Sequence, residues 1–585
     1  EAECCQRPSL EGSRRFCESH RTPRAQHRRA AHERKQEGQP ERWEHCGSID
    51  PDPLKRHRAT MAKHHEAKRD DHGIKSACLR ERIETMSNEH GHRNDRDVDR
   101  ERDCGGRDPK EDRGGIVSLH STLSAARATE AGARSKLAVR NNVDIMPILF
   151  TSTHHPAENH PRVFVRSIRL DTPLSITDHI PEAPSALWLH ESGGLIGIGA
   201  AARIEATGAG RFDDLAHAFR AVSERAEVED CADLRGSGLV AFTSFSYSPN
   251  SSRPSRLVIP RYLLGSVEGC AFLTSVRTEA EPGVGNLLTK PEEILELFAP
   301  NSIPTVAPRA MQPAHSGETY RGLVKDAVQD IDDGVAEKIV LSERFEIDLG
   351  ALEAKRLVPA LAAQLHRRYP TAWTFALDDI VGASPEMLVR TEGSHVFSRV
   401  LAGSRPVSGD DELSVEDRHA FLHDPKERSE HEFAARSVRE PLEKLGVHLS
   451  PPGPPFVLHL PGIEHLATDI RGITPEGLGI LEIAGALHPS AAVSGTPLAA
   501  ANEVIARLEG VDRAGYASPV GWIGADGDGE LAIALRMAHV HGNTLTIQAG
   551  GGLVSDSDPL TEHAEALAKT RPIARALSAL SSPEE

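Results

Sequence analysis

The division of charge along this chain limits where a fold can form. Residues 1–120 hold 26 Lys and Arg, 24 Asp and Glu, 11 of the 30 His and six of the eight Cys. A stretch of this composition cannot bury enough apolar surface to offset the conformational entropy that is lost on folding. We therefore predict that residues 1–145 are a charged, disordered tract, and that the fold lies downstream of them.

The origin of this tract has two interpretations. It has no apolar signal core, and its many acids are not typical of a transit peptide. Either it belongs to the native protein, or it lies upstream of the true start, with Met86 or Met146 as the first residue. Its Cys and His residues include no Cys-x2-Cys pair with matching downstream spacing, which argues against a zinc-dependent or nucleic-acid-binding role.

The charge and cysteine content of the chain exclude several classes of partner. A formal net charge of −18 argues against affinity for nucleic acid or an anionic membrane, and no apolar run approaches the roughly 18 residues of a membrane helix. After the tract the chain keeps only Cys231 and Cys270. This predicts a cytoplasmic protein without a disulfide framework.

Two globular parts follow the tract, an N-terminal part at 160–305 and a catalytic region at 315–580, joined by a proline-rich linker near 300–318. Apolar runs such as Leu187–Leu189 and Leu195–Ile198 have the pattern of a hairpin, whereas residues 211–225 have helical spacing. Alternation of hairpins with helices predicts an α+β fold with large antiparallel sheets rather than a βαβ array.

Two residues of the catalytic region have the properties of a proton-transfer pair. Lys338 begins the apolar segment Lys338-Ile-Val-Leu-Ser342, and in a closed pocket desolvation would make it a usable general base. Glu386 follows Ser-Pro, and burial would raise its pKa and make it a general acid. The alternatives are an edge lysine with an exposed head and a structural glutamate.

A second group of residues has the properties of a cation site. Glu562, Glu565 and Lys569 have the spacing i, i+3, i+7, which places them on one face of a helix that Asp558 can cap. Glu430 opens another predicted helix. Carboxylates without a Cys or His set at ligand spacing suit a hard cation such as Mg²⁺; the alternatives are a surface ion pair and a solvated charge.

Glycines precede the acidic helix in the segment 549–552, which we interpret as a loop. Glycine lets backbone N–H groups approach an anion closely. The segment is therefore a candidate binding site for a carboxylate.

From about residue 160 to 580 the chain resembles the chorismate-utilising enzymes, and within them the isochorismate synthases. The resemblance lies in motifs that match in order and spacing: Lys338-Ile-Val-Leu-Ser342, Gly382-Ala-Ser-Pro-Glu386, Leu401-Ala-Gly-Ser404, His465-Leu-Ala-Thr468, His488-Pro-Ser-Ala-Ala-Val-Ser-Gly495, Ala549-Gly-Gly-Gly552 and Glu562-x-x-Glu565-x-x-x-Lys569. It implies sheets packed face to face with flanking helices, and addition of water to chorismate at C2 with loss of the 4-hydroxyl.

The resemblance also implies a role for each site residue. Lys338 would be the base and Glu386 the acid. Mg²⁺ would be held by Glu430 and Glu565 with Glu562 nearby. The residues implied to bind chorismate are His465, Ala492, Arg536, Gly550, Gly551, Gly552 and Lys569.

The resemblance implies a small-molecule substrate and a monomer without a glutamine amidotransferase subunit. One departure from the family pattern is Glu343, which stands where an Arg is common, so that Arg344 falls on the other strand face. Two alternatives remain open: a salicylate synthase, which also eliminates pyruvate, and a catalytically silent binding or interaction protein that works through the charged tract.

We expect removal of residues 1–145 to leave turnover of chorismate unchanged, because no group of the implied site lies there. The measurement compares initial rates of the full chain and of residues 146–585. A large loss of turnover in the shorter protein would show that the tract takes part.

Overall fold

The computed structural model describes residues 148–151, 162–281, 288, 290–299, 312–313, 317–350, 354–407, 413–460 and 463–580. The predicted disordered tract at 1–145 lies outside the described residues, and so does most of the predicted linker. Among the described residues, no helix has the length and apolar character needed to cross a membrane.

Within the described residues, strands from both parts of the chain form two large sheets. The order of the first, 11-stranded sheet is β1 (Ile148–Thr151), β5 (Ala202–Ala206), β8 (Ser255–Ile259), β7 (Val240–Ser244), β21 (Pro519–Gly524), β22 (Gly529–Ile533), β15 (Met387–Glu392), β16 (His395–Pro406), β19 (Ile463–Ile473) and β17 (His448–Leu449), with β18 (Phe456–Leu460) also paired to β19.

The second, 13-stranded sheet contains the strands that position the site. Its order is β11 (Gln312–Pro313), β12 (Lys338–Asp348), β24 (Thr544–Leu553), β23 (Met537–His541), β14 (Ile380–Ser384), β13 (Trp373–Leu377), β3 (Ala186–His190), β4 (Gly193–Ile198), β9 (Tyr262–Val267), β10 (Cys270–Thr278), β2 (Val163–Leu170) and β6 (Glu227–Asp230), with β20 (Gly495–Thr496) also paired to β12. The pairs β1–β5 and β2–β6 are parallel.

Helices lie between the strands and cover the sheets. They are α1 (Arg211–Arg225), α2 (Pro291–Leu295), α3 (Gly317–Asp332), α4 (Ala354–Arg368), α5 (Val415–His423), α6 (Pro425–Lys444), α7 (Ile480–Leu487), α8 (Leu498–Glu509) and α9 (Pro559–Ala579).

The alternation of side chains in β3 shows how the layers pack. Ala186 and Trp188 belong to the core that both sheets share, whereas Leu187 and Leu189 lie in a second core with the helices α4 and α9. Successive side chains of a strand point to opposite faces, so one face of this sheet packs on the other sheet and the opposite face packs on helices. The predicted α+β class with face-to-face antiparallel sheets and flanking helices is confirmed.

Several local predictions agree with the structure and two differ. Helix α1 has the predicted bounds, β3 and β4 form the predicted hairpin, and the Asp558 side chain caps α9 by accepting from the Thr561 amide at 2.9 Å. Helix α6 begins at Pro425, before Glu430, because Asp424 caps it. The predicted loop at 549–552 is wrong, since these residues lie within β24.

Candidate active site

Lys338 is the first residue of β12, and its side chain pairs with a glutamate of helix α6. Its Nζ donates to Oε1 of Glu430 on α6 at 2.6 Å, and 13% of its side chain is exposed. A Cβ on Gly552 of the neighbouring β24 would lie 2.5 Å from Lys338 Cε. Glycine at this position therefore makes room for the lysine side chain.

Pairing of β12 with β24 decides which glycine amides are available to a ligand. The amides of Val340 and Ser342 point away from β24, because they donate to Ser494 O at 2.7 Å and to Glu509 Oε1 at 2.8 Å. Their partners in the register are Gly552 and Gly550, which must likewise point away from β12 in an antiparallel ladder.

Of the three glycines implied to bind substrate, Gly551 is therefore committed to the ladder with Leu341. The carbonyl of Gly550 accepts from Lys569 Nζ at 2.8 Å, which agrees with its outward direction. The backbone groups of Gly550 and Gly552 therefore lie on the edge of β24 that faces away from β12. The prediction of an anion-binding loop is wrong here, because these residues form a strand.

Glu386 is buried between β14 and β15. Burial raises the pKa of its carboxyl group from 4.5 to about 8, although the cations Arg536, Lys338 and Lys569 act in the opposite direction. The backbone fixes its position, because Glu386 N donates to Ser384 Oγ at 3.2 Å and its carbonyl accepts from Ile533 N at 3.0 Å. A pKa of about 8 keeps this carboxyl protonated at neutral pH, which is the state that the predicted general acid requires.

Arg536 is a cation that lies close to this acid. Its backbone has φ of +48°, a left-handed conformation that is rare for residues other than glycine and costs energy. Burial lowers the pKa of its guanidinium, against Tyr516, Glu565 and Glu386. No carboxylate of the described residues forms an ion pair with it, so its charge is available to an anion.

His465 supplies a neutral ring beside these cations. Burial together with Arg536 and Lys569 lowers the pKa of its imidazole to about 3. Its Nδ1 lies 2.9 Å from Ser404 Oγ, whereas its Nε2 is buried without a hydrogen-bond partner. A buried polar atom without a protein partner is a group that a bound molecule can satisfy.

The predicted face of α9 exists and contacts the glycine strand. Lys569 Nζ lies 2.6 Å from Glu565 Oε1, and Glu562 Oε1 accepts from Ser557 Oγ at 2.8 Å. A Cβ on Gly551 would lie 3.1 Å from Glu562 Oε2 and 3.6 Å from Glu565 Oε1. The absence of a side chain at 551 thus lets both carboxylates approach the sheet.

The carboxylates of α6 and α9 are suited to a hard cation. Burial raises the pKa of Glu562, and the carboxylates of Glu565 and Glu430 add to this rise. Burial would also raise the pKa of Glu565, but Lys569 and Arg536 lower it. Repulsion among oxygen donors is relieved by Mg²⁺, which prefers such ligands. In the described part of the chain, however, no three His, Cys, Asp or Glu side chains gather closely enough to hold a metal ion.

A cavity of about 280 Å³ opens beside Lys338 and Glu430. Phe433, Ala491 and Thr496 line its walls, and Lys426 and Asp556 line it as an exposed ion pair of 3.3 Å. Glu386, His465 and Arg536 do not line this cavity. The cavity therefore reaches Lys338 but not Glu386.

Ala492 lies beside this cavity, half-buried in the turn between α7 and β20. At the departure from the family pattern, Glu343 and Arg344 lie on opposite faces of β12, as the alternation of side chains in a strand predicts. The Glu343 side chain is buried 3.3 Å from His563 Nε2, and Arg344 points outward to pair with Glu346 at 3.2 Å.

Two residues that sequence reasoning missed help to form the site. His431 contacts Ala402 O at 3.1 Å and Thr468 Oγ1 at 2.6 Å, which ties α6 to β16 and β19. Its spacing with the buried Ala434 could have placed it on the buried face of the helix. Glu427, one turn before Glu430, has a pKa raised by burial and by its neighbouring carboxylates Glu430 and Asp424.

The chain matches a family model and several known proteins. The family model described as chorismate binding enzyme matches residues 154–578. The chain is 33% identical over 286 residues to the salicylate biosynthesis isochorismate synthase of Pseudomonas aeruginosa, with 48% of this chain and 59% of that protein covered. It is 35% identical over 235 residues to the isochorismate synthase EntC of Escherichia coli K12, with 39% and 59% covered.

Solved structures with the same fold include two that this chain covers almost completely. One is the Bacillus anthracis protein DhbC, described as a 2,3-dihydroxybenzoate-specific isochorismate synthase (TM-score 0.55, 26% identity, 69% of this chain and 100% of that chain). The other is the menaquinone-specific isochorismate synthase MenF of Escherichia coli (TM-score 0.59, 21% identity, 77% and 99%), for which the likeness concerns the fold alone. Because the family model spans well over half of its length, the chain belongs to the chorismate binding enzyme family.

Proposed function

We propose that this protein is an isochorismate synthase, which interconverts chorismate and isochorismate by adding water at C2 and removing the 4-hydroxyl. The observation that carries the proposal is the proton donor Glu386, whose pKa is raised to about 8 among the cations Arg536, Lys338 and Lys569. A neutral acid surrounded by positive charge suits a substrate that brings carboxylates and must lose a hydroxyl group.

Each residue of the site has a separate role in the proposed reaction. Arg536, Lys569 and the outward amides of Gly550 and Gly552 bind the carboxylates of the substrate, and His465 contacts its ring through Nε2. Lys338 takes the proton of the attacking water, and Glu386 gives a proton to the departing 4-hydroxyl. In this role Lys338 exchanges its 2.6 Å contact with Glu430 for a contact with the attacking water.

Mg²⁺ belongs to this proposal because carboxylates of two helices, Glu430 of α6 and Glu562 and Glu565 of α9, approach the same glycine strand. Glu430 and Glu565 would hold it, with Glu562 nearby, and when bound it would supply positive charge for a carboxylate of the substrate. We further propose a monomer in the cytoplasm that needs no amidotransferase subunit. Among the described residues Cys231 and Cys270 are free thiols, which suits a reducing compartment.

The direct test is to incubate the full chain with chorismate and Mg²⁺ and to resolve the products by chromatography. We expect isochorismate in a mixture with chorismate. Salicylate with pyruvate would instead indicate a salicylate synthase, and no conversion by folded protein would indicate a silent binding protein.

Replacement of the base gives a sharper test. We expect Lys338→Gln to lower kcat by about 10³-fold or more, because a proton acceptor is lost, while chorismate still binds in calorimetry. The matched control is Lys426→Gln, an exposed lysine at the same cavity, which should keep most of its turnover. Turnover by Lys338→Gln at the wild-type rate would remove this residue from its role.

The raised pKa of Glu386 predicts how the rate depends on pH. The carboxyl is protonated below about 8 and loses its proton as the pH rises through that value, so kcat should fall on the alkaline side. Glu386→Gln has no such ionisation and should lower kcat by about 10²-fold and abolish the alkaline limb.

The control for this prediction is Glu392→Gln, which changes an exposed glutamate at the end of β15. A Glu386→Gln variant that kept the same alkaline limb would contradict the assignment. Stability provides a second readout: between 4.5 and about 8 the folded state binds a proton that the unfolded state releases. This contribution to the free energy of unfolding therefore falls as the pH rises.

Removal of the cation should stop the reaction reversibly. We expect a chelator to abolish formation of isochorismate and added Mg²⁺ to restore it. Glu565→Gln should weaken Mg²⁺ binding in calorimetry, whereas Glu432→Gln, an exposed glutamate on α6, should bind normally. Undiminished conversion in the presence of excess chelator would contradict the proposed cation site.

A further inference from the structure

The outer edge of β12 is completed by side chains rather than by a continuous strand. β20 pairs only with Lys338 and Ile339, and β11 pairs only with Phe345 and Glu346. Between them, Val340 O and Ser342 N point away from β24 and have no partner strand among the described residues. Unpaired backbone groups in a buried position are costly, so something else must satisfy them.

Glu509 and Arg513 fill this gap. Glu509 Oε1 accepts from Ser342 N at 2.8 Å and from Ser342 Oγ at 2.7 Å, and Arg513 donates through Nη2 to Val340 O at 2.8 Å. The two side chains are also paired with each other, at 2.8 Å from Nε to Oε2 and 2.6 Å from Nη2 to Oε1. They are 2% and 3% exposed.

Arg513 also reaches the turn that contains Ala492. Its Nη1 donates to Val493 O at 2.8 Å, and its guanidinium lies 4.6 Å from the centre of the Tyr247 ring. Tyr247 in turn donates to Asn502 Oδ1 at 3.0 Å, and the same oxygen accepts from Ser494 Oγ at 2.9 Å. One buried ion pair therefore fixes both the strand of the catalytic lysine and the turn beside the cavity.

We infer that Glu509 and Arg513 are positioning residues for the reaction: they set the distance between Lys338 and the 490–494 turn without contacting the substrate. The inference rests on the proposed function. Charge-assisted hydrogen bonds to backbone atoms hold a strand more rigidly than neutral ones, and Val340 is two residues from Lys338. A displacement of about 1 Å in a catalytic group can lower the rate by about 10²-fold.

A second buried Arg–Glu pair in the same sheet provides a matched control. Arg261 and Glu281 are 2% and 8% exposed and paired. They adjoin β9 and β10, which are separated from β12 by β24, β23, β14, β13, β3 and β4. Loss of this pair should destabilise the fold without moving Lys338.

The experiment compares Glu509→Gln, Arg513→Lys and Arg261→Lys in the full chain. We expect the first two to lower kcat by about 30-fold to 100-fold, with KM for chorismate changed less than about threefold. Arg261→Lys should lower the melting temperature and leave kcat per folded molecule unchanged. Values of kcat near wild type in Glu509→Gln and Arg513→Lys would overturn the inference.

A double variant separates positioning from stability. Glu509→Gln with Arg513→Met removes both charges and so avoids an unpaired buried ion. We expect it to regain much of the melting temperature that Glu509→Gln loses, but not its kcat, because methionine cannot donate to Val340 and Val493. Recovery of kcat together with stability would show that the pair is only structural.

Hydrogen–deuterium exchange tests the inference independently of turnover. In Glu509→Gln and Arg513→Lys, peptides covering 338–345 and 490–496 should exchange faster, and a peptide covering 260–267 should not. Unchanged exchange at 338–345 would overturn the inference even if the wild-type protein made no isochorismate. Failure of the folded wild-type protein to make isochorismate would instead refute the proposed function.

Discussion

The pairing of β12 with β24 is the constraint on which the candidate site depends. Ten residue pairs in one antiparallel register join the strand that begins with Lys338 to the strand that contains Gly550–Gly552. β24 leads into α9, so the same pairing carries Glu562, Glu565 and Lys569 to the sheet. Because a shift of one residue would turn every side chain to the opposite face, the register decides whether Lys338 and Lys569 meet the carboxylates of α6 and α9.

Burial, and not only ion pairing, sets the protonation states of the groups in the candidate site. Glu386 has three cations nearby and is still protonated at neutral pH, because desolvation outweighs them. His465 is kept neutral by burial and by two of the same cations. Lys338 and Lys569 are held by carboxylates, which leaves Arg536 as a cation without an ion pair among the described residues. The candidate site thus contains a protonated carboxyl close to a guanidinium that has no ion-pair partner among the described residues.

Sequence reasoning recovered local features well. The spacing of Glu562, Glu565 and Lys569 predicted a single helical face, and α1 was predicted with its observed bounds, since both depend on helix periodicity. The glycines at 549–552 predict a loop, because glycine usually marks turns. Here their role is to leave room for Lys338 and Glu565, which only the paired strand reveals. The spacing of Glu509 and Arg513 allows an ion pair, but their role is not visible in the sequence, because the strand that they hold, at Val340 and Ser342, lies more than 150 residues away.

The mixing of strands from both parts of the chain has a consequence for synthesis on the ribosome. In the first sheet, β7 pairs with β21, and in the second sheet β3 pairs with β13. Neither sheet can close until segments far downstream have left the exit tunnel. Until then the N-terminal strands have unpaired edges and exposed apolar side chains. Chains in this state form long-range contacts slowly and aggregate readily. Yield in a foreign host should then depend on chaperones and on the rate of translation more than on the stability of the finished fold.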